Sequence, residues 1–283
     1  VDGSSPARVN ASDGIIGVGD NYYRDDIEIY RQGSTLTAVN VIDEEKYLYG
    51  VINSEMPSSW SKEAQKAQAV AARTYMERGK EKHDIYDLCD GVHCQDYNGT
   101  KNETEAGITA VNETKGLCIY YDGSLIEAVY FASDGGATID GAEAWGYETP
   151  YLKGKQDTYE KEYKEWTRQF TYSELTDMCN ARGYNIGNVI KVEAEYNKNG
   201  IVTGLTFRGS KGQKMLTKDE IRTAFSATSG GSLFSRNFTV ASGAETTAAA
   251  NSENASAETT TGTAGVVTFT GKGNGHSVGM SQY

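Results

Sequence analysis

Apolar and polar side chains alternate along Ile27-Glu28-Ile29-Tyr30-Arg31 and again along Leu36-Thr37-Ala38-Val39-Asn40-Val41. A period of two on both sides of Gln32-Gly33-Ser34 predicts paired strands joined by a tight hairpin. The period then lengthens. Ser61 is placed to accept a backbone N–H as an N-cap and Glu63 suits a first turn. Lys62 to Glu77 is rich in alanine and straight side chains, which predicts a long helix. On it Ala64, Ala67, Ala71 and Tyr75 share a small-residue face suited to close packing on a sheet. Lys66 and Arg73 project from one face, about 10.5 Å apart along the axis. That separation suits anionic groups on successive units of an extended ligand, although solvation is the ordinary fate of helix cations.

A second helix is predicted near Glu103–Thr114, stopped by Gly116. Leu117 to Tyr121 and Leu125 to Phe131 flank Asp122-Gly123, a hairpin signal. From about residue 155 a separate set follows: strand Trp166–Tyr172, helix Ser173–Arg182, a hairpin over Val189–Phe207, then a short strand and a helix at Thr217–Phe225. Together these elements predict an α+β fold: a mixed, largely antiparallel sheet packed on a long helix, a smaller inserted α+β subdomain and a substrate groove. Residues 21–154 are the expected core, 155–240 the subdomain, and 265–283 a closing strand and Gly-His motif of the core. Residues 1–20, polar and Gly-rich, read as an N-terminal linker. Residues 241–264 read as a disordered low-complexity loop, with too few large apolar groups to offset ordering entropy.

Composition narrows the partners. A net charge of −12 over 283 residues argues against nucleic acid or an anionic membrane surface, so any basic groove must be local. No apolar run reaches the roughly 18 residues of a membrane span. Val1 is not a natural start, which fits the trimmed part of something longer. The 19 tyrosines suit either a carbohydrate surface or an ordinary Tyr-rich core.

Metal-donor side chains cluster once. His83, Cys89, His93 and Cys94 put two imidazoles and two thiols within twelve residues, the donor types of a tetrahedral zinc site. The spacing matches no standard finger, and a Cys89–Cys94 disulfide or two free thiols are the competing readings. Cys118 and Cys179 are expected to fill core space as small apolar groups. Ser133-Asp134-Gly135-Gly136 and the closing stretch from Gly273 to Gln282, which contains His276, are glycine-framed. Such islands let backbone approach a ligand closely or turn tightly. Pro150-Tyr151-Leu152-Lys153 sets an aromatic plate beside a cation. Glu55 stands among apolar neighbours just before the long helix. It is either an acid lifted from water or a surface carboxylate capping that helix.

Taken in order, these islands resemble the stage II sporulation protein D (SpoIID/LytB) family. The resemblance is carried by Tyr47-Leu48-Tyr49-Gly50-Val51, Glu55-Met56-Pro57 and Ala64-Gln65-Lys66-Ala67-Gln68-Ala69-Val70-Ala71-Ala72-Arg73-Thr74-Tyr75. It continues through Cys89 to Tyr97, Ser133 to Gly136, Trp145-Gly146, Pro150-Tyr151-Leu152 and Gly275 to Gln282, covering about residues 25–283. Asn274 and Ser277 depart from the family's closing motif, which usually has Trp and Gly there.

The resemblance implies a membrane-anchored, extracytoplasmic lytic transglycosylase. It would cleave the MurNAc-GlcNAc bond of peptidoglycan glycan strands during engulfment in sporulating bacteria, on the mother-cell side of the septum. The family acid maps onto Glu55, and basic and aromatic groove residues map onto Lys66, Arg73, Tyr151 and Lys153. Ser133, His276 and Gln282, in the glycine-framed islands, complete the expected substrate-binding set. Zinc at His83, Cys89, His93 and Cys94 gains from the resemblance, as a structural ion, because four protein ligands leave no open position. One acid suffices when the muramic acid's own 6-hydroxyl is the nucleophile, whereas ordinary glycosidases need two carboxylates. Glu55 would then need its proton at neutral pH, which desolvation by Val51, Ile52, Met56 and Trp60 would favour.

Two other classes stay open: a non-catalytic peptidoglycan-binding enhancer of an N-acetylmuramoyl-L-alanine amidase, and a metal-dependent hydrolase centred on His83, Cys89 and Cys94. An amidase and other engulfment proteins are the expected partners. Membrane contact is expected only through an N-terminal anchor missing from this sequence.

Overall fold

The alternating stretches at the start of the chain form the strands they predict. The structure is a computed structural model and describes residues 6–242 and 265–283, except 81, 92, 161, 162 and 229. It divides into two units, one running to Val129 and joined by Gln282, the other running from Tyr130 to Ser281 and joined by Tyr283.

The first unit opens with strands β1 (Ala7–Val9), β2 (Ile15–Val18), β3 (Asn21–Arg24), β4 (Asp26–Gln32) and β5 (Thr35–Val41). Helices α1 (Glu44–Glu55), α2 (Lys62–Gly79) and α3 (Glu105–Glu113) follow, then the short strands β6 (Tyr120–Tyr121) and β7 (Ser124–Leu125). β4 and β5 pair antiparallel with Ile29 opposite Ala38, and β1 adds to the other edge of β4. Part of the stretch read as a linker is thus strand. Pairing of Ala7 with Ile29 and of Ile16 with Tyr23 gives these polar residues main-chain partners that composition does not reveal. Residues 1–5 of the expected linker and 243–264 of the expected loop lie outside the described residues.

α1 carries Tyr, Val, Ile, Gly, Asn and Ser, residues of modest helix propensity, so no local pattern announces it. Asp43 starts it by accepting from the N–H groups of Glu45 and Lys46 at 3.0 and 3.3 Å. Burial sustains it, since Leu48, Val51 and Ile52 are fully covered. Gly50 is required by a close approach: a Cβ there would sit 2.5 Å from Gly99 O and 2.6 Å from the Tyr97 ring.

α2 begins as expected, with Ser61 accepting from Ala64 N–H at 3.2 Å. Its buried face differs from the alanine stripe. Gln65, Gln68, Ala69, Ala72 and Met76 are covered while Ala67 is exposed. Gln65 tolerates burial because its amide donates to the carbonyls of Ser58 and Trp60.

The second unit contains β8 (Tyr130–Phe131), α4 (Gly141–Trp145), β9 (Glu165–Thr171), α5 (Tyr172–Ala181), β10 (Val189–Tyr196), β11 (Val202–Gly209) and β12 (Gly212–Thr217). It ends with α6 (Glu220–Thr223), β13 (Phe238–Ser242), β14 (Val266–Lys272) and β15 (Met280–Ser281). Two three-stranded antiparallel sheets, β10-β11-β12 and β13-β14-β9, enclose an aromatic core. Within it Phe269 meets Phe225 edge-on at 5.3 Å and Phe170 at 5.8 Å. The parallel pair of β15 with β8 makes the sheet content mixed, and the six described helices complete an α+β fold. No described helix is long and apolar enough to cross a membrane.

Candidate functional site

Glu55 is the last residue of α1, at the point where the chain leaves a buried helix. Val51 and Ile52 before it are fully covered, and Met56 after it is 2% exposed. Met56 turns extended and donates its N–H to Ile52 O at 2.9 Å. Asn53 locks this exit: its amide donates to Met56 O at 3.1 Å and its oxygen accepts from Thr104 Oγ1 at 2.5 Å. Gly107 makes room for it, since a Cβ there would fall 2.3 Å from Asn53 Oδ1. Nothing in the sequence pattern marks Asn53 for this task. Glu55 itself accepts the main-chain N–H of Asp96 on Oε1 at 3.0 Å. The N-cap of α2 is Ser61, so Glu55 does not fill that place.

The loop that supplies Asp96 is held from both sides. Gln95, 1% exposed, donates to Ala72 O at 3.1 Å and accepts from Tyr47 Oη at 3.2 Å. Tyr97 donates its hydroxyl to Asn40 at 2.7 Å and its N–H to Asp90 O at 3.0 Å. Burial pushes the phenols of Tyr47 and Tyr97 upward, so both remain neutral donors.

One residue before Gln95 lies the cysteine and histidine cluster. His83 Nε2 is 3.5 Å from Cys94 Sγ, and His93 Nδ1 is 3.6 Å from Cys89 Sγ and 3.5 Å from Cys94 Sγ. Zn–S near 2.3 Å and Zn–N near 2.0–2.1 Å give a tetrahedral S···N edge of about 3.6 Å. The donor set therefore fits a zinc ion. Cys89 and Cys94 are unbonded to each other, and burial raises the Cys94 thiol.

The two cations of α2 are already engaged by carboxylates. Lys66 meets Glu63 at 3.2 Å and Glu113 at 3.6 Å, both near the surface. Arg73, expected to reach substrate, is 2% exposed and forms a two-point pair with Glu45 at 3.1 and 2.6 Å. It also donates to the carbonyls of Leu117 and Val111 at 3.2 Å each. Four of its five N–H donors are thereby used, which makes Arg73 a strut joining α1, α2 and α3. The helical period that suggested a shared ligand face for Lys66 and Arg73 is equally the period of packing against neighbouring helices. Gln282 donates to Gln68 Oε1 at 3.3 Å.

In the second unit, Ser133 is 1% exposed and gives its hydroxyl to Glu160 Oε1, which ties it to an internal carboxylate. Lys153 is 47% exposed and only loosely paired, 3.7 Å from both Asp140 and Glu148. Tyr151 is partly buried two residues earlier. His276 accepts Val278 N–H on Nδ1 at 3.2 Å and therefore donates from Nε2 to Tyr130 O at 3.1 Å. Its ring lies 5.2 Å from Phe131 and 5.5 Å from Trp145, and burial pulls it down to about 4. His276 is thus a neutral donor of fixed tautomer at pH 7.

These features define the class: a mixed α+β protein whose helix-terminal acid is tied through a main-chain amide to a loop of two histidines and two cysteines. Residues 32–121 match the family described as stage II sporulation protein. The chain is 32% identical over 264 residues to the amidase enhancer of Bacillus subtilis (strain 168), covering 83% of this chain and 36% of that protein. It is 27% identical over 276 residues to stage II sporulation protein D of the same organism, covering 91% and 71%. An uncharacterised protein of Brachyspira hyodysenteriae is 30% identical over 257 residues, covering 88% and 62%. The chain carries a domain of the stage II sporulation protein family over residues 32–121 and is similar to stage II sporulation protein D along most of its length. It spans about a third of the amidase enhancer's length and under two thirds of the Brachyspira protein's.

Proposed function

We propose that the chain takes part in cell-wall processing during sporulation, as a lytic transglycosylase acting on peptidoglycan glycan strands. The observation that carries this reading is the Glu55 carboxyl, set at the end of a buried helix and oriented through Oε1 by the Asp96 amide. In the first step Glu55 protonates the bridging oxygen as the glycosidic C1–O bond breaks. In the second it takes the proton of the muramic acid 6-hydroxyl as that oxygen bonds to C1. No water is consumed and the product carries a 1,6-anhydro end. The proton lent in the first step is recovered in the second, so one carboxyl does the work of two.

Lys66 and Lys153 sit in loose surface pairs worth little individually, so lactyl or stem-peptide carboxylates can displace their partners. Tyr151 offers a ring for stacking on a sugar and Gln282 an amide N–H, whereas His276, expected to bind substrate, spends its single N–H on Tyr130 O and orients the closing segment instead. Arg73 acts through Glu45 rather than on substrate. Zinc held by His83, Cys89, His93 and Cys94 would fix the loop that carries Asp96. With four protein ligands it contributes structure and no open coordination position. The same reading puts the protein outside the cytoplasm, tethered to the membrane, with an amidase among its partners.

The amidase-enhancer relative favours a second reading, in which the chain binds the wall and stimulates a separate amidase without cutting glycan itself. Digestion of intact wall and of peptide-free glycan, followed by mass spectrometry, separates the two. Wild type is expected to release anhydro-muropeptides and Glu55→Gln to lose them while still binding wall. Wild-type protein that releases none, yet accelerates an amidase, overturns the catalytic reading.

A further inference from the structure

The second unit contains a carboxylate cluster that the reaction above does not use. Asp134, in the Ser133-Asp134-Gly135-Gly136 island, is fully covered, Glu160 is 5% exposed, and Asp157 is partly buried. One oxygen from each of the three lies within 4.8 Å of the others. Among the described residues, the ion pairs of this unit engage Asp140, Glu143, Glu148, Glu193, Asp219 and Glu220 instead.

Hydrogen bonds satisfy most of these oxygens but not all. Glu160 Oε1 accepts from Ser133 Oγ, and Oε2 accepts from the N–H groups of Asp134 and Gly135 at 3.2 Å each. Asp157 Oδ1 accepts from Tyr159 N–H at 2.7 Å. Asp134 Oδ1 accepts from Gly136 N–H at 2.6 Å, yet its Oδ2 is buried with no hydrogen-bond partner among the described residues. Burial, with the neighbouring Glu160 and Asp157 carboxyls, pushes Asp134 up to about 7, so its enclosed oxygen calls for either a proton or a positive partner.

We propose that Asp134, Asp157 and Glu160 form a binding site for a divalent cation of the calcium type. Oxygens on opposite sides of calcium, each 2.3–2.6 Å from it, are separated by about 4.6–5.2 Å, which accommodates the observed 4.8 Å envelope. The donors are all hard carboxylate oxygens, unlike the thiol and imidazole set near Glu55, so the two sites select different metals. Coordination also explains why Asp157 and Glu160, over twenty residues downstream, are drawn onto the Ser133–Gly136 turn. The ion would clamp that turn to residues 157–160 and satisfy Asp134 Oδ2.

The test is calorimetric titration of calcium chloride into the full chain at neutral pH, with thermal melts alongside. One saturable site is expected, of Kd between about 10⁻⁶ and 10⁻³ M, with a melting temperature that climbs with calcium and responds less to magnesium. Asp157→Asn should lose both responses, and Cys94→Ser should keep both. Absence of saturable heat and of any melting shift at about 10 mM calcium, or an Asp157→Asn protein that binds as wild type does, overturns the proposal. Terbium needs no variant. Tyr163 lies beside Gly136, close enough that a Cβ there would meet its hydroxyl at 3.2 Å, and should sensitise terbium emission that calcium displaces. Failure to see calcium-displaceable emission also overturns it.

Discussion

The main-chain N–H of Asp96 donates to Glu55 Oε1 at 3.0 Å, and Asp96 stands two residues beyond Cys94. The proposed acid and the proposed metal loop are therefore mechanically one object. Whatever fixes the loop fixes one oxygen of the carboxyl.

Glu55→Gln should leave the fold intact, because the amide oxygen can still accept from Asp96. Melting is expected to shift by no more than about 0.5 kcal/mol. Release of anhydro ends should fall by at least about 10²-fold, the usual worth of a positioned acid–base group. Product analysis by mass spectrometry, with circular dichroism as control, checks both halves.

Removing zinc should unfasten the loop before it unfolds the unit. Wild-type protein is expected to carry about one zinc per chain and Cys94→Ser none, since ligands bind metal as a set. Hydrogen exchange should then quicken at the amides of Gln95, Asp96 and Tyr97 while the core of α2 keeps its protection. Equal exchange with and without metal would separate the loop's order from the ion.

Arg73 and Lys153 should part company. Arg73→Ala strands Glu45, whose side chain is only 13% exposed, and should cost about 3–5 kcal/mol of stability. Lys153→Ala breaks only long surface pairs, so its melt should match wild type while wall affinity drops. Urea denaturation and sedimentation with purified wall measure the two effects.

His276 should make the protein acid-sensitive. Burial first, then the Arg222 charge, holds its folded value near 4 against 6.5 unfolded, although its bond to Tyr130 O and the Asp219 charge pull the other way. As pH falls through 6.5 the unfolded chain takes up a proton that the native state refuses. Stability is thus full above about pH 6.5, is lost progressively toward pH 4, and levels off below, by up to about 3 kcal/mol. His276→Gln should flatten that slope in denaturation curves recorded across the window.

Local chemistry made several elements legible in the sequence alone. The alternation in β4 and β5, the Ser61 cap and alanine-rich run of α2, and the turn residues between β10 and β11 each act within a few neighbours, so their effect survives without a fold. The clustering of His83, Cys89, His93 and Cys94 was likewise visible as spacing. Other features came only from tertiary contacts. α1 lacks a strong propensity and exists because Leu48, Val51 and Ile52 are covered. Arg73 and Lys66 share a helical face, yet only the position of Glu45 decides that Arg73 is a buried strut. The bond from Asp96 to Glu55 joins residues 41 apart, and Glu160 accepts from Asp134 and Gly135 across 26 and 25. Sequence set the donor and acceptor types at those positions. Their meeting depends on how distant segments pack, which no local period encodes.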